Sequence, residues 1–267
     1  MESLCLRKAW CKKMRNLKVI ISYNGADYHG FQRQSNAVTI QEIVEESLSK
    51  FFGDESHITG CSRTDAGVHA REFCFNTRTS PKFRNLPNSG FVKGLNALLP
   101  RDIAVMSCED AADDFHARYS AKAKEYSYLI YNGSVRDVFM RGLAYFYPKR
   151  LNLGLMREAA ELFIGEHDFS AYCKAESLET VKSKKQGAVR EIYDFYVTQN
   201  GDYVELIVKG NGFLHNMVRI MSGTLIYVSE GKRTLDNVSK SLSGGGLREA
   251  AGITLPPEGL YLNRVFY

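Results

Sequence analysis

The chain has 267 residues, 44% hydrophobic and 24% charged, enough apolar content to bury a sizeable core without disulfide or metal staples. That excludes a disordered chain, collagen and a coiled coil, while 35 Lys+Arg against 30 Asp+Glu leave a net charge of +5 that suits an anionic partner. The excess is uneven: Arg7, Lys8, Lys12 and Lys13 stand against Glu2 alone in residues 1–13, so three of the five net charges lie there.

In chain order, residues 1–16 read as a basic leader without apolar periodicity, expected to be disordered, with Met14 as an alternative start. Its run Leu4-Cys5-Leu6 is too short for a secretory signal. No stretch approaches the roughly 20 apolar residues of a membrane span. Residues 17–23 read as a strand with Leu17, Val19, Ile21 and Tyr23 on one face. Thr39 then opens a helix, with Glu42 completing a capping box and Ile40, Ile43, Val44, Leu48, Phe51 and Phe52 forming an apolar stripe. Strands follow near 57–61 and 70–77. A helix at 88–99 turns Phe91, Leu95 and Leu98 inward, and Pro100 stops it before a strand at 102–108. The first half is thus β-α-β-β-α-β.

The second half opens with a strand at 122–131, where Tyr126 and Tyr128 share a face, and a helix at 152–164. The polar insertion 174–187 reads as a solvated, flexible loop. Strands at 189–198 and 203–209 are joined by Asn200-Gly201, a strong hairpin signal. Helical spacing runs over 213–228, a short helix over 235–242, and a last strand over 259–267 after the Gly244-Gly245-Gly246 break. The expectation is an α+β protein of two ferredoxin-like or RRM-like halves, 17–115 and 116–267, with mixed, mainly antiparallel sheets, a shared core and a cleft between the halves.

Six cysteines include no C-x-x-C pair, so free thiols and a cytoplasmic location are expected. Cys61, His69 and Cys74 lack the clustered spacing of structural zinc, and no metal is expected. No P-loop or dinucleotide fingerprint occurs, and no nucleotide cofactor is expected.

One segment is polar, aperiodic and set between two strands: Gly60-Cys61-Ser62-Arg63-Thr64-Asp65-Ala66-Gly67-Val68-His69-Ala70. Read alone, Asp65 is an Asx-turn closed by Gly67. The whole string resembles the signature loop of the TruA family of tRNA pseudouridine synthases. The resemblance continues in order through residues 23–34, 39–41 and 99–103, then 115–121 and 124–128. It ends with 165–170, Asn211-Gly212-Phe213-Leu214-His215-Asn216-Met217-Val218-Arg219 and 257–262. Ser62 departs from the family, standing where many members carry Gly.

The resemblance implies a pseudouridine synthase fold, no cofactor, a tRNA anticodon arm as substrate with uridines 38, 39 and 40 as targets, and a homodimer. It implies Asp65 as nucleophile and Arg219 as its ion-pair partner. Tyr126 would stack on the target uracil and is a candidate for the final proton removal. Leu260 would close the other side of the base, and Arg63 would evict the nucleotide and hold its phosphate. His69 and Arg118 are further substrate-binding candidates. His29, Arg33 and His116 sit in matching segments, and Lys174, Lys182, Lys184, Lys185 and Arg190 bracket the polar insertion as candidate RNA contacts. A carboxylate nucleophile must stay ionised in a water-poor pocket, which is what an arginine against it provides.

Two other classes compete. A catalytically silent RNA-binding module of the same fold would carry an aromatic RNP signature, which is absent, and the nucleophile loop is intact. A zinc deaminase would need H-x-E and P-C-x-x-C, and neither occurs.

Overall fold

The computed structural model describes residues 14–183, 186–244 and 246–267. Expectations placed on residues 1–13, Lys184, Lys185 and Gly245 lie outside them.

Strict alternation builds the first strand: β1 (Asn16–Tyr23) buries Leu17, Val19, Ile21 and Tyr23. The end of the expected leader already belongs to the fold. Arg15 donates to Asp110 (2.8 Å) and to the Leu86 carbonyl (2.6 Å), and the Asn16 amide donates to the carbonyls of Ala112 and Phe115. In α1 (Ile40–Phe52) the Thr39 hydroxyl accepts from the Glu42 N–H as predicted. The Glu42 carboxylate turns instead to Arg33, 3.6 Å away, so only half of the capping box forms. After β2 (Thr59–Gly60) and β3 (His69–Arg78) comes α2 (Asn88–Asn96), whose Phe91 packs edge-on against Phe51 of α1. Because α2 stops at Asn96, Leu98 falls outside its period and is exposed rather than inward. β4 (Ile103–Ala111) completes the half.

The second half runs β5 (Ala123–Tyr131), β6 (Tyr145–Phe146), α3 (Leu153–Glu161), β7 (Gly165–Asp168), α4 (Ala175–Lys182), β8 (Val189–Asn200), β9 (Tyr203–Gly210), α5 (Met217–Ser229), α6 (Leu235–Leu242) and β10 (Leu260–Phe266). The insertion expected to be a flexible loop contains α4, which is anchored by buried Val181. β6 and β7 are too short to show a period of two. α5 starts four residues later than its apolar spacing predicts, because Asn216 adopts a left-handed φ of 63°.

The sheet order is β4-β1-β3-β10-β5-β9-β8-β7, antiparallel except where β10 runs parallel to β3 and β6 to β5. The last strand therefore slots between the two halves, which share one sheet rather than stacking as separate ones. Leu262 pairs with Tyr126 and Leu260 with Tyr128, and the same two tyrosines pair with Val208 and Leu206 of β9. Directly opposed residues share a face, so this one face carries the core of the second half and, at its centre, the floor of a cleft. No described helix is long and apolar enough to cross a membrane.

Candidate active site

The loop between β2 and β3 is held in place by backbone hydrogen bonds. The Asp65 carbonyl accepts from the Val68 N–H (3.2 Å), closing a turn in which Gly67 has φ +76°. Segment 28–31 clamps the loop from outside: the Phe31 N–H donates to the Thr64 carbonyl and the Gly67 N–H to the Tyr28 carbonyl, both at 3.1 Å. The approach is close enough that a Cβ on Gly30, itself at φ +87°, would lie 2.6 Å from the Thr64 oxygen. A backbone turn thus stands where an Asx-turn is expected: the Asp65 carboxylate takes no part in it, because both of its oxygens face the start of α5.

That carboxylate meets the start of α5. Arg219 Nη1 lies 3.3 Å from Asp65 Oδ2 and donates to the Asn216 side chain at 2.9 Å, while Nε donates to the Leu255 carbonyl at 2.7 Å. The Arg219 side chain is 15% exposed and that of Asp65 31%, so the cation sits behind the anion. On the other carboxylate oxygen, His215 Nε2 lies 3.5 Å from Asp65 Oδ1. The left-handed turn at Asn216 brings residues 215 and 219, on either side of it, to the same carboxylate. His215 is a neighbour that sequence reasoning passed over, although it stands in the same motif as Arg219.

Asp65, Arg63, Arg118, Tyr126 and Leu260 all line one cleft of about 720 Å³. Tyr126 is 7% exposed, its ring meets Phe213 edge-on at 5.1 Å, and its hydroxyl lies 3.3 Å from Ser62 Oγ. Ser62, the departure from the family pattern, thus supplies the hydroxyl that faces Tyr126. Burial pushes the Tyr126 pKa well up, so its hydroxyl stays a neutral phenol. Arg63 is exposed, with its guanidinium 3.3 Å from the Gln32 side-chain oxygen.

His69 does not reach the cleft. It pairs with Tyr261, whose side chain points to the opposite face from Leu260 and Leu262. Its Nδ1 accepts from the Gly25 N–H (3.0 Å), its ring stacks on Tyr261 at 4.6 Å, and burial lowers its pKa. The expected substrate contact is a structural support for the turn at Gly25. Of the other basic candidates, His29 and Arg190 line the cleft, joined by Lys124, whose pKa burial also lowers. Arg33 is bound by Glu42 and Glu45, His116 Nδ1 accepts from the Arg118 N–H, and Lys174 pairs with Glu176 at 2.8 Å.

A family profile described as tRNA pseudouridine synthase matches residues 19–120 and 159–267. The chain belongs to the tRNA pseudouridine synthase family. Proteins named tRNA pseudouridine synthase A from Thermoanaerobacter sp. (strain X514) and Ruminiclostridium cellulolyticum are each 42% identical to it, over 254 and 256 residues, covering 95% of this chain and 100% of theirs. One from Geobacter sp. (strain M21) is 41% identical over 260 residues, covering 95% of this chain and 99% of its own. Within the tRNA pseudouridine synthase match, the first stretch holds Asp65 and the second holds His215, Arg219 and Leu260. Tyr126 falls in the interval between them.

Proposed function

We propose that this tRNA pseudouridine synthase isomerises uridine to pseudouridine at positions 38, 39 and 40 of the tRNA anticodon stem-loop, with Asp65 as nucleophile. The observation that carries the reading is an accessible carboxylate backed by a less exposed arginine, in a cleft lined also by an aromatic ring and an aliphatic side chain. The reaction breaks the bond between C1′ and N1, turns the uracil and joins C1′ to C5; the proton lost from C5 is balanced by one gained at N1. Substrate and product are isomers, so the balance requires no oxidant, reductant or energy source. An ionised carboxylate adding to the sugar or the ring is sufficient.

Extracting a base costs a few kcal/mol. Stacking on an aromatic ring returns about 1 to 3 kcal/mol per base, so Tyr126 on one side and Leu260 on the other supply stabilisation of the required order. Arg63, Arg118, Lys124 and Arg190 line the cleft against Asp65 and Glu176 alone among its acids, a local cationic excess suited to the backbone of an anticodon arm. The same reading takes the molecule to be a homodimer, supported by an exposed apolar patch in which Phe139 is 89%, Val135 75% and Val138 72% accessible. Buried free thiols at Cys61, Cys74 and Cys173 fit a cytoplasmic setting.

The test is to map pseudouridine in an anticodon-arm transcript after treatment with wild-type and Asp65→Asn protein. Conversion by the wild type and none by the variant is expected. Equal conversion by both would remove Asp65 from the mechanism, and binding without conversion by either would leave a silent RNA-binding module.

A further inference from the structure

The two oxygens of Asp65 have different partners, and the second leads out of the active-site floor to the rim. Arg219 takes Oδ2, while His215 Nε2 stands 3.5 Å from Oδ1. On the other edge of the same imidazole, Nδ1 lies 2.8 Å from the hydroxyl of Ser177, in the first turn of α4. A second bond fastens that helix to the same residue, since the Lys174 N–H donates to the His215 carbonyl at 3.0 Å. Ser177, Thr180 and Val181 of α4 line the cleft that Asp65 opens into.

Proton placement follows from the chemistry of the partners. A carboxylate can only accept, so the ring nitrogen facing it carries the hydrogen, and in the tautomer with its hydrogen on Nε2 alone Nδ1 accepts from the Ser177 hydroxyl. In that tautomer Ser177 donates to His215, whose Nε2 hydrogen is aimed toward Asp65. A contact of 3.5 Å is long for a hydrogen bond, and contacts between catalytic groups commonly tighten in the complex with substrate.

We infer that His215 is a positioning residue for Asp65, and that through Ser177 it couples the aim of the nucleophile to the seating of α4 on bound RNA. This rests on the reading of Asp65 as nucleophile. Arg219 alone can hold the charge, but one contact leaves a carboxylate free to rotate about its own axis. A second donor on the other oxygen fixes the plane of the group, and misalignment by about 1 Å can cost about 100-fold in rate. RNA pressing on α4 moves Ser177, and with it the ring that holds Oδ1.

The experiment measures single-turnover rate at saturating anticodon-arm RNA, and RNA affinity separately, for His215→Phe, His215→Gln, Ser177→Ala and the Phe/Ala double variant. Phenylalanine keeps the ring volume without donors and is expected to slow turnover by about 10- to 100-fold with affinity within about three-fold of wild type. Glutamine, which restores an N–H, should recover most of that loss. Ser177→Ala should cost less than His215→Phe, and nothing further when His215 is already Phe, because the two act in series. Wild-type turnover by His215→Phe, equal losses of rate and affinity, no recovery with glutamine, or an additive double variant would each overturn the inference. Asp65→Asn run alongside separates the two readings: if it stays active, the nucleophile assignment has failed, whereas an inactive Asp65→Asn beside a normal His215→Phe fails the positioning role alone.

Discussion

On the proposed reading, the Asp65 carboxylate has to remain ionised where water is scarce, and Arg219 is placed to hold it so with a fork. One nitrogen is anchored to the Leu255 carbonyl at 2.7 Å, and another lies between Asn216 and Asp65. Lysine would keep the charge but has a single nitrogen, which cannot bond to the Leu255 carbonyl and reach Asp65 together. Arg219→Lys is therefore expected to lower single-turnover rate by about 10- to 100-fold while RNA affinity stays within about three-fold. Arg219→Ala should lower turnover further, again with little change in affinity. A fully active lysine variant would show that charge alone suffices; equal losses of rate and affinity would make Arg219 a phosphate contact. Asp65, Arg219, Tyr126 and Leu260 each stand in a distinctive string, and the fold brings them together: Asp65, Tyr126 and Leu260 line one cleft and Arg219 contacts Asp65. The Asp65–Arg219 contact spans 154 residues of chain, and its other member, His215, could be found only once both halves were in place. His69 misled because it adjoins the loop, yet strand alternation turns it to the far face.

At the scale of elements, the position of Arg219 depends on how α5 lies against the segment before the last strand. The Leu255 N–H donates to the Arg219 carbonyl, and the Gly252 N–H donates to Thr224 Oγ1 at 2.8 Å. Backbones touch there: a Cβ on Gly223 would stand 2.0 Å from the Ile253 carbonyl oxygen. Replacing a helix-interior glycine by alanine ordinarily gains about 1 kcal/mol. Here the overlap should dominate and reverse the sign, so Gly223→Ala is expected to destabilise by about 1 to 3 kcal/mol and to slow turnover as Arg219 shifts. Urea denaturation checks this through a lower midpoint with an unchanged slope; a stabilised variant would mean the helix moves away freely. Helix and strand positions were mostly legible from periodicity, as in β1, α6 and the β8–β9 hairpin. The exceptions have local causes. α4 has a weak apolar stripe in a polar stretch, and the start of α5 is decided by one backbone torsion at Asn216 rather than by apolar spacing.

For the whole molecule, the sequence pattern predicts the last strand but not its neighbours. An alternating segment at the end of a chain fits several sheet edges equally well, and only the assembled register sends β10 to the centre, parallel to β3 and antiparallel to β5. This placement makes the candidate site composite, since the loop that carries Asp65 leads into β3 while Arg219 and Leu260 come from the other half. It also makes the halves one cooperative unit. Leu262 is fully buried at the seam, opposite Ala70 on one side and Tyr126 on the other. Truncating such a leucine costs about 2 to 5 kcal/mol. In a chain of this size the melting temperature should fall by about 5 to 15 °C. Because the seam belongs to both halves, calorimetry of Leu262→Ala should show the whole transition moving down as a single peak. Two peaks with only one displaced would show that the halves hold together independently and that β10 joins them without coupling them.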